Sequence, residues 1–127
     1  MKTNELRIGN YLALPMRGED VVIVEEILAD EFVVCNVTTN EWPITDYAPI
    51  LLTDEWLLRF GFNEDHYGDY YREYNINPDK HFHSYFELTQ MSNKSYQIRE
   101  YDIYIAYVHQ LQNLYFALTG EELTLKQ

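Results

Sequence analysis

The chain of 127 residues contains one cysteine, Cys35, and this scarcity limits its chemistry. A single thiol cannot close an internal disulfide, and it cannot supply the paired thiolates of common zinc and redox sites. Because Cys35 lies in the apolar run FVVCNV, we expect it to be a small buried hydrophobic side chain. A chain of this length can bury enough surface to form a core without such links.

Long apolar segments are also lacking. The longest aliphatic run is VVIV at Val21–Val24, whereas a membrane-spanning helix needs about 20 predominantly apolar residues. The opening MKTNELRIGN has no apolar segment of the kind found in secretory signal peptides. We therefore expect a soluble, cytoplasmic protein that does not associate with membranes.

Positive charge is scarce as well. Nine basic residues stand against 21 acidic residues, which gives a formal net charge of -12 at pH 7. Affinity for nucleic-acid backbones comes from lysine and arginine side chains that displace counterions, so we expect no direct nucleic-acid binding. The acidic residues are spread through both halves of the chain in clusters of at most two, which is typical of a solvated surface.

Motifs of the common enzyme classes are missing from the sequence. It has no glycine-rich phosphate loop, no nucleophile elbow, no cysteine pair and no internal repeat. Glu25 and Glu26 are adjacent on a predicted strand, where successive side chains point to opposite faces, so they cannot share one proton-transfer site. We therefore expect a protein that is not an enzyme, with no catalytic residue and no cofactor.

The first 52 residues predict a small β-barrel or a curled antiparallel sheet of the SH3-like kind. Apolar residues recur with period two between positions 6 and 14, which predicts a strand with one covered face. The β-branched runs Val21–Leu28 and Phe32–Val37 predict a hairpin. Short extended pieces around Trp42 and Pro49 follow, the second at a sheet edge because proline lacks a backbone donor.

Residues 53–127 predict a short helix followed by a tyrosine-rich antiparallel sheet. Thr53 is a typical N-cap for a helix that ends before Gly61. Nine of the twelve tyrosines lie between Tyr67 and Tyr107. Turn-forming segments divide this region into three predicted strands: Tyr70–Ile76, Phe82–Thr89 and Ser95–Tyr101. The tyrosine-rich face is either the wall of a core or a binding platform.

The stretch VHQLQNLYFALTGEEL predicts a C-terminal amphipathic helix that begins near Ala106 and stops at Gly120. Its apolar stripe consists of Val108, Leu111, Leu114, Tyr115 and Leu118. The opposite side has no lysine or glutamate, so either the rest of the chain or a partner should cover it. The candidate partner-binding residues on this side are His109, Gln112, Asn113 and Phe116. We thus expect an α+β fold in a single domain over 1–127, with subdomains 1–52 and 53–127.

One motif suggests metal chemistry, because HFHSYFE places His81, His83 and Glu87 on one face of a predicted strand. Two imidazoles and a carboxylate can hold a divalent metal, and the spacing resembles the first metal motif of the cupins. The sequence departs from that pattern, since Asn75 stands where the cupin motif has glycine and the second, glycine-proline-histidine motif is absent. The expected cofactor is therefore none, with a metal site at these residues as the alternative.

Three blocks, LRIGNYL, PILLTDEWLLRFGF and YVHQLQNLYFALTGEEL, make the chain resemble a family of small uncharacterised proteins from gut Bacteroidetes and their phages and mobile elements. The blocks cover about half of the chain, and the last block is the most specific. The resemblance implies a bacterial or phage cytoplasmic setting. It implies no known activity, so it assigns no catalytic residue.

These observations predict a non-enzymatic protein-interaction or accessory protein of a phage or mobile element. Its partner is another protein or a second copy of the chain. One alternative is an acidic mimic of nucleic acid that occupies a basic cleft in a host defence or replication protein. The other is a small cupin-like metal-binding protein.

Overall fold

The structure is a computed structural model, and it describes residues 1–18, 20–77, 82–98 and 102–126. It has the predicted α+β fold, with a curled four-stranded antiparallel half-barrel, a second antiparallel sheet and a C-terminal helix. The chain divides into two units, the first made of residues 1–51 and 107–113 and the second of residues 52–106 and 114 onward. The expectation of one folding domain stays a prediction.

The sheet of the first unit has four antiparallel strands in sequential order. They are β1 Tyr11–Leu14, β2 Asp20–Leu28, β3 Phe32–Cys35 and β4 Trp42–Pro43. The predicted hairpin is confirmed, because Leu28 pairs with Phe32 and a short 3-10 turn joins the two strands. In that turn Asp30 has φ 61°, a left-handed conformation that aspartate tolerates better than branched residues do.

The predicted strand over positions 6–14 is wrong in its first half. The extended pairing begins only at Tyr11, and Ile8 is 64% exposed instead of buried. Gly9 has φ 98°, a conformation that favours glycine and ends the regular alternation of side chains. The period-two pattern therefore predicts the strand but not its start.

A bulge interrupts the alternation of β2. Val24 pairs with Cys35 and Glu26 pairs with Val34, which leaves Glu25 as the extra residue. Both glutamates are exposed. The expectation that they point to opposite faces assumed a regular strand, and the bulge removes that regularity.

The core of the first unit lies under this sheet. Its buried members are Leu6, Leu12, Leu14, Val22, Val24, Val33, Cys35, Ile44 and Tyr47. The Tyr47 hydroxyl donates to the Val33 carbonyl at 3.0 Å, so the one polar atom of that side chain is satisfied inside the core. Cys35 is fully buried, as the apolar run around it predicts.

The second unit contains a short helix, α1 Asp54–Arg59, and a five-stranded antiparallel sheet. The strands are β5 Asn63–Glu64, β6 Tyr70–Asn77, β7 Phe82–Gln90, β8 Tyr96–Ile98 and β9 Tyr104–Ile105. The sequence predicts the three middle strands and misses β5, because two residues are too few to show a period. Positions 99–101 of the third predicted strand lie outside the described residues.

The N-cap of α1 is confirmed, because the Thr53 side chain accepts a hydrogen bond from the Trp56 backbone N–H at 3.4 Å. Gly61 has φ 92° just past the helix end, as a C-terminal stop requires. The apolar side of the helix is buried through Trp56, Leu57 and Phe60. These signals are local, which explains why the sequence alone predicts this helix correctly.

The C-terminal helix, α2 Val108–Thr119, starts and stops close to its predicted limits, and Gly120 ends it with φ 75°. Val108, Leu111 and Tyr115 are fully buried, whereas Leu118 is exposed, contrary to its place in the predicted stripe. The chain turns at Gly120, and the next buried side chain is Leu123. Among the described residues, neither helix combines the length and the apolar character needed to cross a lipid bilayer.

Candidate functional site

The four candidate residues of α2 differ in their exposure. Gln112 is 1% exposed, His109 is 3% exposed and Asn113 is half-buried, whereas Phe116 is 38% exposed. The first three belong to the first unit of the fold. The uncharged side of the helix is thus largely covered at its N-terminal half.

Gln112 is held by the chain segment that leads into β1. Its Oε1 accepts a hydrogen bond from the Tyr11 backbone N–H at 2.9 Å, and its Nε2 donates to the Gly9 carbonyl at 3.1 Å. Both ends of the buried amide are therefore satisfied, as a buried polar group requires. The Gln112 amide thus makes the two hydrogen bonds to the backbone of residues 9–11 that a neighbouring strand would otherwise make.

Asn113 extends this network. Its Nδ2 donates to the Glu5 carbonyl at 2.8 Å, and its amide is hydrogen-bonded to that of Asn10. The polar groups of Gln112 and Asn113 therefore stabilise the first unit. The binding of a partner by His109, Gln112, Asn113 and Phe116 stays a prediction, and of the four residues Phe116 presents the largest exposed fraction.

His109 lies in the first turn of α2, where its ring stacks on Tyr107 with centroids 6.0 Å apart. Burial lowers the pKa of its imidazole below the usual range, while the Glu5 carboxylate acts in the opposite direction. The Nδ1 atom is buried, and none of the described groups forms a hydrogen bond with it. A cavity of about 140 Å³ is lined by Met1, Glu5, Pro49, Tyr107, His109 and Gln110.

The possible metal ligands lie mostly outside the described part of the chain. His81 is not among the described residues, and nothing is described of the His83 side chain. Glu87 lies on β7. Among the residues that are described, no group of three or more histidine, cysteine, aspartate or glutamate side chains is placed to hold a metal ion.

The tyrosines of the second sheet point to both of its faces. On the inner face, Tyr70 and Tyr96 are buried and contact each other edge to face with centroids 6.3 Å apart. The Tyr96 hydroxyl donates to Asp54 Oδ1 at 2.5 Å, and the Tyr70 hydroxyl donates to Glu64 Oε2 at 3.4 Å. Burial raises the pKa of Tyr70 to about 12. These inner tyrosines form a wall of the core.

Arg72 lies on the same inner face and is bound from several sides. Its Nη1 donates to the Tyr115 hydroxyl at 2.6 Å, and its Nε donates to the Phe60 carbonyl at 3.2 Å. Glu121 forms an ion pair with it at 3.6 Å. A cavity of about 330 Å³ lies beside Arg72. The guanidinium of Arg72 is nevertheless bonded to groups of the chain itself, which indicates a structural role for this residue.

The outer face of β6 and β7 has a different character, because tyrosine and glutamate alternate there. In the strand register Tyr71 lies opposite Glu87, and Glu73 lies opposite Tyr85. Each tyrosine therefore has a glutamate across from it, and the two tyrosines meet on the diagonal. Their rings contact edge to face, with centroids 5.8 Å apart and planes at 80°.

An open groove of about 310 Å³ lies on this outer face, lined by Asp65, Tyr71, Tyr85 and Glu87. We call it the tyrosine–carboxylate groove. Tyr85 is 51% exposed. Asp65 is held in place because its Oδ1 accepts the backbone N–H groups of Tyr67 at 2.8 Å and Asp69 at 3.0 Å. The groove therefore combines aromatic surface with the oriented carboxylate of Asp65 and the side chain of Glu87, which suits a cationic guest.

The sequence predicts a tyrosine-rich face but does not single out these four residues. The signal in the sequence is a repeated pattern, tyrosine-x-glutamate, at YRE in β6 and again at YFE in β7. The pattern places tyrosine and glutamate on one face of each strand. Only the pairing register brings the two copies side by side, and the register depends on the whole hairpin and not on either copy alone.

Comparisons with protein-family models, with curated proteins and with solved structures give no match to this chain. Two arrangements stand out among the described residues, namely the amide network of the first unit and the tyrosine–carboxylate groove of the second. The amides are turned inward, and the groove is open to solvent, which makes the groove the better candidate for binding.

Proposed function

We propose that this protein is a non-enzymatic protein-interaction module that holds a basic segment of a partner protein in the tyrosine–carboxylate groove. The observation that supports it best is the outward-facing pairing of Tyr71 and Tyr85 with Glu87 and Asp65 in one open groove. We further propose a phage or mobile-element setting for it, on the resemblance of its three sequence blocks.

The aromatic part of the groove favours a protein partner. Tyrosine is enriched at protein interfaces, because its ring offers apolar contact area and its hydroxyl tolerates water. Tyr85 is only half-buried in the protein alone, so a partner can still cover a large part of its ring. Burial of that ring would favour association.

The acidic part of the groove favours a basic segment. Asp65 and Glu87 lie within it, and Glu73 lies on the same face opposite Tyr85. The formal net charge of -12 adds a long-range attraction for cationic partners and a repulsion for nucleic-acid backbones. Because exposed charges are screened by salt, this binding should weaken as ionic strength rises.

The direct test is an NMR titration of the isotope-labelled protein with a lysine- and arginine-rich peptide and with a glutamate-rich peptide of equal length. We expect the basic peptide to shift the amide signals of Asp65, Tyr71, Tyr85 and Glu87. Tyr85→Ala should weaken that binding about tenfold. The matched control is Tyr67→Ala, because Tyr67 is 90% exposed and does not line the groove.

Two results would count against the proposal. One is equal binding of the basic and the glutamate-rich peptide, which would mean that charge does not select the guest. The other is an equal loss of affinity in Tyr85→Ala and Tyr67→Ala.

Phe116→Glu tests the predicted surface on α2 in the same way, with the solution mass of the protein as a second readout for self-association.

An acidic mimic of nucleic acid is the second candidate, favoured by the excess of 21 acidic over nine basic residues. A mimic and the nucleic acid would compete for one basic cleft, whereas a module that binds a short basic segment can leave the cleft open. The test is displacement of labelled DNA from an identified partner. A partner that holds DNA and this protein at the same time would rule out the mimic.

A further inference from the structure

We infer that the guest of the tyrosine–carboxylate groove is a single arginine side chain, whose guanidinium lies against the two tyrosine rings and bonds to the carboxylates of Asp65 and Glu87. This inference rests on the proposed function, because it names the side chain of the partner that the groove selects. It is carried by the geometry of four residues in the second unit.

The two tyrosine rings form adjoining walls. Their planes stand at 80° and their centroids are 5.8 Å apart, so a flat group that stacks on one ring turns its edge to the face of the other. The pairing of Tyr71 with Glu87 places their Cβ atoms about 5 Å apart across the two strands. Glu87 therefore lines the groove together with the two aromatic walls.

Asp65 supplies a second carboxylate from the loop between β5 and β6. The two backbone N–H groups that bind its Oδ1 fix the orientation of the side chain. A carboxylate that is already ordered loses little conformational entropy when a guest binds. The groove thus presents two acceptor groups to a single guest.

Arginine fits this arrangement better than lysine does. The guanidinium is planar, has five N–H donors and is weakly hydrated, so it can stack on a ring and bond to carboxylates at the same time. The lysine ammonium is a compact and strongly hydrated point charge, which matches neither the flat walls nor two separated acceptors. Arginine is also the more frequent partner of aromatic rings in cation–π contacts.

The size and charge of the groove fit one side chain. Its volume of about 310 Å³ lies at the lower end of the range of about 300–1,000 Å³ for small-ligand clefts. Its lining consists of two tyrosines, one aspartate and one glutamate, so a cationic guest meets no like charge among these side chains. The chain itself has only nine basic residues.

The experiment compares three peptides that differ at one central position, which is arginine, lysine or citrulline, between identical glycine and serine flanks. Citrulline keeps the planar shape of the guanidinium and removes its charge. We expect the arginine peptide to shift the amide signals of Asp65, Tyr71, Tyr85 and Glu87 in NMR titrations. The lysine and citrulline peptides should bind at least about fivefold more weakly.

Three protein variants locate the effect. Tyr85→Phe keeps the ring and should retain the preference for arginine, whereas Tyr85→Ala and Glu87→Gln should each reduce it. Tyr67→Ala should change nothing. Urea unfolding of each variant checks that the fold is intact.

The outcomes separate the inference from the proposed function. Equal binding of the arginine and lysine peptides, lost together in Tyr85→Ala, would overturn the inference and leave the proposed function standing. Binding of the arginine peptide that shifts other residues instead of the groove would overturn both. Failure of every cationic peptide to shift the groove signals would also overturn both.

Discussion

Asn10 and Asn113 exchange hydrogen bonds through their side-chain amides. Asn10 Nδ2 donates to Asn113 Oδ1 at 2.7 Å, and Asn113 Nδ2 donates back to Asn10 Oδ1 at 3.2 Å. The two residues are 103 positions apart in the sequence. This amide pair ties the N-terminal half of α2 to the segment that enters β1, within the first unit.

Replacement of Asn113 tests how much these hydrogen bonds contribute to stability. Asn113→Ala should lower the free energy of unfolding by about 1–3 kcal/mol, because the buried Asn10 amide and the Glu5 carbonyl both lose a partner. Urea unfolding followed by far-UV circular dichroism measures the change. The control is Asn40→Ala at an exposed position, and equal midpoints for the two variants would show that the amide pair contributes nothing.

The bond between Arg72 and Tyr115 gives a second prediction. Tyr115→Phe keeps the buried ring and removes the hydroxyl that accepts from Arg72 Nη1 at 2.6 Å. We expect a loss of about 1.5–3 kcal/mol in unfolding free energy, the range for hydrogen bonds to charged groups. Tyr104→Phe, at an exposed tyrosine of β9, should change stability little. If the unfolding free energy of Tyr115→Phe equalled that of the wild type, Glu121 and the Phe60 carbonyl would be sufficient partners for Arg72.

His109 should make stability depend on pH on the acidic side. Burial lowers the pKa of His109 in the folded protein, so the unfolded chain binds the proton more readily. The stabilising contribution is therefore complete above the unfolded pKa of about 6.5 and is lost as the pH falls below it. Urea midpoints from pH 7.5 down to pH 5 measure this loss, because unfolding takes up protons in that range.

The variant His109→Gln should remove that part of the pH dependence. His66→Asn, at an exposed position, is the matched control and should retain it. If the unfolding free energies of the wild type and of His109→Gln fell in parallel with pH, other groups would be responsible for the acid effect.

The tyrosine wall of the second sheet predicts a change on the alkaline side. The pKa of Tyr70 is raised to about 12 by burial and by the nearby Asp54 and Glu64 carboxylates. The folded protein keeps this proton when the unfolded chain has lost it, so stability is complete below about pH 10 and declines as the pH rises towards 12. Absorbance at 295 nm should show a late ionisation that is smaller by one tyrosine in Tyr70→Phe, because burial also raises the pKa values of Tyr47, Tyr96 and Tyr115. If the wild type and Tyr70→Phe gave identical titrations, the raised pKa of Tyr70 would be contradicted.

The sequence predicts those elements whose signals are local. The cap at Thr53, the stop at Gly61 and the turn between β2 and β3 each depend on neighbours within a few residues, and all are present in the structure. The limits of α2 belong to the same class, since Gly120 ends the helix by its left-handed backbone. The short strand β5 is not predicted, because its two residues show no period.

The candidate residues of α2 illustrate a prediction that depends on tertiary contacts. The sequence indicates that a face without charge needs a cover, but it does not identify the cover. In the first unit the backbone of residues 9–11 meets Gln112, and the Asn10 side chain meets Asn113. Phe116 remains the more exposed member of the group.

Composition and short-range patterns were thus enough to establish an acidic α+β protein with a β-hairpin half, a tyrosine-rich sheet and a terminal amphipathic helix. Those properties follow from propensity, periodicity and capping, which act between residues close in the chain. The tyrosine–carboxylate groove depends on the register of β6 against β7, and the amide pair joins positions 103 apart. The register is a property of two paired strands, and the amide pair requires that distant segments meet when a shared core is buried, so neither is determined within one short stretch of sequence.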